Sequence, residues 1–323
     1  MYTYDLHRDG FTQSMLGTFM TCPKKCQFRY LDGLKAERVS GAGALEFGDI
    51  FHRALDALYS LVKGEKPLDH VIDDAIDLIH NQDKEYLQGV PTAPDAFEKL
   101  ETTTGMARVT LQNYMRWWFA DFQELDWISL EEIFETKYAD IPIRGKFDGV
   151  FRDKNGRLWL FETKTKGIID IPTLGDFLEY DFQTHLYMWA LRRIFNEEPC
   201  GVVYNLVKRP ALRQKQTEDL PAFLERVDAD IQAEPTKYFS RYSHTNAPGE
   251  LNNWQQNDLD QVIAEVMTMV NLGVAFRNSG ACYQWQRPCE YMNLCAHGSM
   301  LGLVEREVPF TELMPIDTET GED

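Results

Sequence analysis

An α/β fold, with a central sheet flanked by helices, is what this 323-residue sequence predicts. Three observations predict it. First, the apolar period changes along the chain. Segments 131–140, 143–152, 157–164 and 201–207 read as strands, whereas Phe51, Leu55, Leu58 and Val62 recur at helical spacing over 49–63. Second, helical segments lie both before and after the strands, which layers helices onto a sheet. Third, 44% hydrophobic and 26% charged residues is a globular mixture, which excludes disordered, collagenous and coiled-coil chains. A chain this long buries about 75% of its unfolded surface and needs no staples to hold a core.

The elements follow in order. Residues 11–31 read as a short helix interrupted at Pro23, and SGAGALEFG (40–48) as a glycine-rich loop before the amphipathic helix 49–63. Residues 67–126 read as helical with a break at 90–94, giving a helical insertion over about 66–128. After the first three strands, 176–195 reads as one helix, apolar on nearly every side. Helices near 219–233 and 256–275 follow strand 201–207, then a cysteine-rich segment at about 280–297 and an acidic tail, 304–323. The expected organisation is one domain over 1–303 plus that tail. No apolar run reaches the ~18 residues of a membrane span. The start lacks the basic-then-apolar pattern of a secretion signal, so the expected location is the cytoplasm, away from membranes. No P-loop motif is present, so the chain carries no nucleotide-driven motor of that type.

Net charge is −18. That balance argues at first against nucleic acid, because phosphate contacts need Lys and Arg. The charge is uneven, however. Residues 204–216 hold Lys208, Arg209, Arg213 and Lys215 without an acid, and 21–38 hold five bases against two acids. Local field matters more than the total, although a solvated face is the plainer account of either patch.

The segment KFDGVFRDKNGRLWLFETKTKG carries the densest chemistry. Glu162 and Lys164 stand at i, i+2 on a strand and so share a face. Asp148 lies on the preceding strand. A two-residue Asn155-Gly156 turn pairs 148 with 163 and turns Asp148 away; a three-residue loop with Gly156 left-handed pairs 148 with 162. In the second register the two Cβ atoms lie ~5 Å apart, so the carboxylates repel unless a cation sits between them, and their oxygens suit Mg²⁺ or Mn²⁺. Taken alone the pattern is short and also fits a solvated surface hairpin. The apolar run LWLF argues instead for a central strand.

Six cysteines are too few for a disulfide scaffold. Three of them, Cys282, Cys289 and Cys295, fall within fourteen residues, and Cys22 and Cys26 lie near the start. In a reducing compartment such clustering points to a metal or cluster. Four thiolates suit zinc or an iron–sulfur cluster, and a one-plus-three layout departs from the paired doublets of zinc ribbons. The fourth ligand must come from elsewhere, Cys22 or Cys26. Cys200 reads as a buried small hydrophobe.

Five blocks in order resemble the RecB-type exonuclease branch of the PD-(D/E)XK nuclease superfamily, including its CRISPR-associated and phage members. They are the Cys-Pro helix SMLGTFMTCPKKCQFRYL; Gly48-x-x-x-His52; GKFDG with Asp148; FETKTKG with Glu162 and Lys164; and Gln183-x-x-x-Tyr187. The resemblance spans about 14–295. It implies a restriction-endonuclease-like core with a mixed sheet and a metal-dependent DNA nuclease, an exonuclease in DNA repair, recombination or phage DNA metabolism. It implies His52, Asp148 and Glu162 as metal ligands, Lys164 as the catalytic lysine, and Gln183 and Tyr187 as groups that position the strand or the lysine. It further implies a four-iron, four-sulfur (4Fe-4S) cluster on Cys22, Cys282, Cys289 and Cys295 that staples the C-terminal segment to the N-terminal helix, with zinc as the alternative. The family spacing is C-x2-C-x5-C, and this chain keeps the x5 gap but has x6 where x2 is expected. The basic segments would follow the phosphates, with Tyr204, Tyr283 and Trp285 stacking on bases. The lack of a motor suggests a stand-alone enzyme or a helicase, recombinase or annealing-protein partner. A catalytically silent DNA- or partner-binding member of the fold, and an acidic interaction protein with a chance motif, are the competing readings. The intact Asp148, Glu162 and Lys164 argue against the first; a colourless protein whose binding ignores Mg²⁺ would mark the second.

Overall fold

The protein is described from a computed structural model, over residues 3–37, 47–62, 68–89, 94–120, 124–169, 171–284, 287–310 and 313. Its frame is a six-stranded mixed sheet. Strands β1 (Phe11–Thr12), β4 (Ile141–Arg152), β5 (Leu158–Lys166), β6 (Gly201–Lys208) and β7 (Phe239–Thr245) lie side by side in that order, and β3 (Asp126–Tyr138) pairs with β4. The β4–β5 and β6–β7 pairs are antiparallel, whereas β5–β6 and β1–β4 are parallel. Two smaller ladders join β2 (Leu34–Ala36) to β10 (Leu303–Glu305) and β8 (Tyr283–Gln284) to β9 (Arg287–Pro288).

Helices cover both faces. One layer holds α1 (Gln13–Thr21), α6 (Phe182–Phe195) and α8 (Asp260–Leu272). Their Leu16, Trp189 and Val266 share a core with Leu160 and Leu206 of the sheet. The other holds α2 (Phe47–Val62), α3 (Leu68–Gly89), α4 (Ala96–Trp117) and α7 (Leu220–Ala233), where Phe51, Ile76, Leu111 and Phe223 share a core with Val207 and Phe239. Each such side chain contributes about 1.5–3 kcal/mol by leaving water. The segment read as a helical insertion supplies α3 and α4 of this layer, and Tyr114 of α4 meets the sheet at Phe239.

Three boundaries differ from the sequence reading. The helix expected over 176–195 is two, α5 (Ile171–Leu178) and α6, because Asp181 turns extended and caps α6, accepting from the Thr184 amide and hydroxyl. Strand β3 starts at Asp126, with a bulge between Trp127 and Ser129. The helix expected over 256–275 passes through a π-turn at Gln255–Leu259 and stops at the left-handed Gly273. The start of the acidic tail is docked: β10 pairs with β2, and the buried Phe310 packs on Tyr30. Of the glycine-rich loop 40–48, residues 40–46 lie outside the described residues.

Candidate active site and cysteine cleft

The β4–β5 hairpin turns through residues 154–156. Asp153 donates its amide to the Arg157 carbonyl (3.1 Å), the Gly156 amide donates to Asp153 (2.8 Å), and Gly156 has φ +75°. This is the three-residue loop, and its ladder runs from Arg152–Leu158 to Gly149–Phe161. One step further would set Asp148 opposite Glu162. There the strands part: Asp148 Oδ2 accepts from the Thr163 amide at 2.7 Å, so a carboxylate replaces a ladder carbonyl. Further back, Ile143 and Arg144 pair with β1. Along this stretch Arg144, Lys146 and Asp148 are half-buried, whereas Ile143, Gly145 and Phe147 are buried, so the three polar side chains alternate onto one face. Gly145 is required sterically, since a Cβ there would come within 2.6 Å of Phe134 and 3.0 Å of Tyr187.

Glu162 is 2% exposed at its side chain and receives Lys164 Nζ on Oε1 at 2.8 Å. Its Oε2 is buried without a hydrogen-bond partner. Burial, then the charge of Asp148, pushes Glu162 up to about 7, against the pull of Lys164. Lys164 also donates to Gln183 Oε1 at 3.0 Å. Burial opposes its charge, but Glu162, Asp181 and Asp148 together hold the ammonium above its ordinary value. Gln183 in turn bonds the Tyr187 hydroxyl, which also meets the Lys146 backbone. Burial, followed by the charges of Glu162 and Asp148, raises Tyr187 as well. Gln183 and Tyr187 sit one turn apart on α6, so one helix face braces the lysine.

His52 approaches from α2. Burial lowers its pKa, Glu162 opposes that, and Lys164 and Lys146 add to it, which places the ring in the field of the same groups. Gly48, one turn earlier, explains how α2 comes so near: a Cβ there would lie 2.7 Å from Thr165 Oγ1 on β5. Among the described residues, no group of three or more His, Cys, Asp or Glu is arranged to hold a metal ion, so neither His52, Asp148 and Glu162 nor Cys22, Cys282, Cys289 and Cys295 form a ready-made ligand set. The reason is visible for both acids, each with one oxygen committed to a protein donor. Sequence reasoning missed Asp181, whose charge acts on both Glu162 and Lys164, and Lys146. The signals that could have found them are an Asp three residues before Thr184, in N-cap position, and the i, i+2 alternation of Lys146 with Asp148.

A family model, "PD-(D/E)XK nuclease superfamily", matches residues 10–296. The chain belongs to that superfamily. Likenesses to solved structures are distant. A candidate exonuclease from Eubacterium rectale is 13% identical, with 81% of this chain and 94% of that one covered and a TM-score of 0.34. A protein from Vibrio cholerae is 15% identical, with 65% and 59% covered and a TM-score of 0.21. Nothing among curated proteins matches. Among the described residues no helix is long and apolar enough to cross a membrane.

PD-(D/E)XK nucleases generally use Mg²⁺ or Mn²⁺. The residues here fit such an ion: a buried carboxylate oxygen without a partner, next to a second acid, is costly until a cation approaches.

In this nuclease, residues more than 250 positions apart also meet at the cysteines. Cys22, Cys282, Cys289 and Cys295 line one narrow cleft of about 30 Å³, together with Lys24, Lys25 and Arg277. Cys22 precedes Pro23 at the start of a helical turn, the Lys24 amide donates to the Phe276 carbonyl (3.0 Å), and Asn278 Nδ2 donates to the Thr21 carbonyl (2.8 Å). These bonds tie the N-terminal helix to the C-terminal segment. Cys26 is instead fully buried in the main core, its thiol pushed up by burial. Cys200 is half-buried beside Phe151 and Trp159. Of the aromatics expected to stack on bases, Tyr204 is fully buried, with its hydroxyl on Thr184 (2.8 Å), and cannot do so. Tyr283 is exposed, and Trp285 lies outside the described residues.

Proposed function

We propose that the protein is a metal-dependent deoxyribonuclease that acts as an exonuclease in DNA repair, recombination or phage DNA metabolism. The observation that carries this is the buried Glu162, with one oxygen on Lys164 and the other unpartnered, beside Asp148. Asp148 and Glu162 would hold Mg²⁺ or Mn²⁺, with His52 contributing from α2. The ion, when bound, would make water more acidic and offset charge on the phosphate. Lys164 acts as an ammonium, donating a hydrogen bond that orients the attacking water or the phosphate oxygen. Gln183 fixes Lys164, and Tyr187 fixes Gln183 against the β4 backbone, so the lysine is preorganised. Lys208, Arg209, Arg213 and Lys215 supply phosphate contacts along the strand.

The same reading assigns Cys22, Cys282, Cys289 and Cys295 to a 4Fe-4S cluster with a structural role, zinc being the alternative. Support comes from the donor set and from the three basic side chains that line the cleft and offset the charge of four thiolates. Seating a cluster requires the narrow cleft to open. The protein would act alone or be recruited to a helicase, recombinase or annealing protein.

Anaerobically purified protein, assayed for iron and then incubated with Mn²⁺ and end-labelled DNA, tests both parts. Stepwise shortening from an end that Asp148→Asn abolishes is expected. Internal nicking alone would sink the exonuclease assignment, and zinc without iron the cluster assignment.

A further inference from the structure

A second concave site lies on the other face of the sheet, between α4 and α7. It is a cavity of about 530 Å³ lined by Asn113, Arg116, Trp117, Gln232, Pro235 and Phe239. That volume suits a ligand the size of a nucleotide. Its lining is unlike a gap in packing. Trp117 is 42% exposed and Phe239 is buried, so the site has one accessible aromatic face and one aromatic wall. Asn113 and Gln232 each donate their amide nitrogen to Asp228, at 2.6 and 2.7 Å. Their orientation is thereby fixed with the carbonyl oxygens left as acceptors. Arg116 is 63% exposed and stands 3.9 Å from Asp228. An aromatic plane, fixed amide acceptors and an exposed guanidinium are what an unpaired base and its phosphate require.

The position is equally informative. Phe239 stacks edge-on against Tyr114 (5.7 Å), and Tyr114 against Phe51 (6.1 Å), which is the residue before His52. Two ring contacts therefore separate the cavity from the candidate active site. The exposed basic segment starts next to it. Val207 pairs with Phe239, and Lys208 Nζ lies 5.9 Å from the centre of the Tyr238 ring. The Arg209 amide bonds the Lys166 carbonyl at the end of β5, and Arg226 of α7 holds the Arg213 carbonyl. Arg209, Arg213 and Lys215 are exposed along this path.

We propose that this cavity binds an unpaired base of the DNA strand, a few nucleotides from the cleavage point, and so makes a single-stranded end the preferred substrate. The inference rests on the nuclease reading for its purpose but not for its binding test. Binding of a 5′-fluorescein-labelled oligothymidylate of twelve residues would be followed by anisotropy in EDTA, where cleavage is off. Trp117→Ala is expected to weaken it about tenfold, within the range of one lost base–aromatic stack, and Trp117→Phe to restore most of it. Arg116→Gln should weaken binding less and flatten its salt dependence by somewhat under one unit of slope. A scan of single abasic sites, using the unaltered protein with Mn²⁺, should show one position near the cut where loss of the base slows cleavage. Binding unchanged by Trp117→Ala, or a flat abasic scan, overturns the proposal. If the protein cuts no DNA yet binds the oligonucleotide through Trp117, the nuclease reading fails and the base site stands.

Discussion

The carboxylate–lysine site and the cysteine cleft are built in opposite ways. The first is made by two adjacent strands and one helix, and its parts are locked before any ligand arrives: Asp148 on the Thr163 amide, Lys164 between Glu162 and Gln183, Tyr187 behind Gln183. The second is made by segments more than 250 residues apart, which leave between them a cleft of only about 30 Å³. Secondary structure can position a site to within a hydrogen bond at short sequence separation. Distant segments meet here through separate contacts, the Asn278 side chain on the Thr21 carbonyl, the β2–β10 ladder and the Phe28–Tyr291 ring pair among them.

Four substitutions sharpen that contrast. Lys164→Met should act mainly on chemistry, lowering cleavage on the order of 10²–10³-fold, as loss of a preorganised hydrogen-bond donor does. Single-turnover digestion measures it, and activity within a few-fold of the parent would remove Lys164 from the mechanism. Cys22→Ser should do the reverse, losing iron and its visible absorbance and lowering the melting temperature by several degrees, whereas Cys200→Ala keeps both. Gly48→Ala pushes a methyl against Thr165 Oγ1 and should cost about 1–3 kcal/mol in urea unfolding, with cleavage falling because α2 carries His52. Glu162→Gln gives the smallest and least obvious effect. The folded pKa of Glu162 is raised to about 7. Its stability contribution is therefore fully present below the unfolded value near 4.5 and is lost as pH rises through 7. In EDTA at pH 8 the inert glutamine variant should thus be more stable than the parent, by on the order of 1 kcal/mol, with the gain vanishing at pH 4. Equal stability at both pH values would mean that the site is already neutralised without metal.

Much of the site was legible because it is local. Gly156 in the turn set the hairpin register, and the i, i+2 and i, i+4 spacings of Glu162–Lys164 and Gln183–Tyr187 set shared faces. What escaped was tertiary. Asp181 interrupts an apolar run that reads as one helix, because a cap is decided by two or three polar contacts and not by hydrophobic period. The helices over 68–117 read as an excursion because nothing in their stripes names the sheet as the partner. Tyr204 looked available for bases until the same strand's Leu206 and Val202 proved to share its buried surroundings.

The β2–β10 ladder has a consequence in time rather than space. Leu34–Ala36 wait for Leu303–Glu305, and Cys22 waits for Cys282 and its neighbours. During synthesis the N-terminal helix therefore remains without its C-terminal cover for roughly 15–50 s, at the usual elongation rates. Throughout that interval Cys22 stands apart from its three companions. Any centre the four cysteines hold is then installed only after the segment around Leu303–Glu305 has emerged and folded back on Leu34–Ala36.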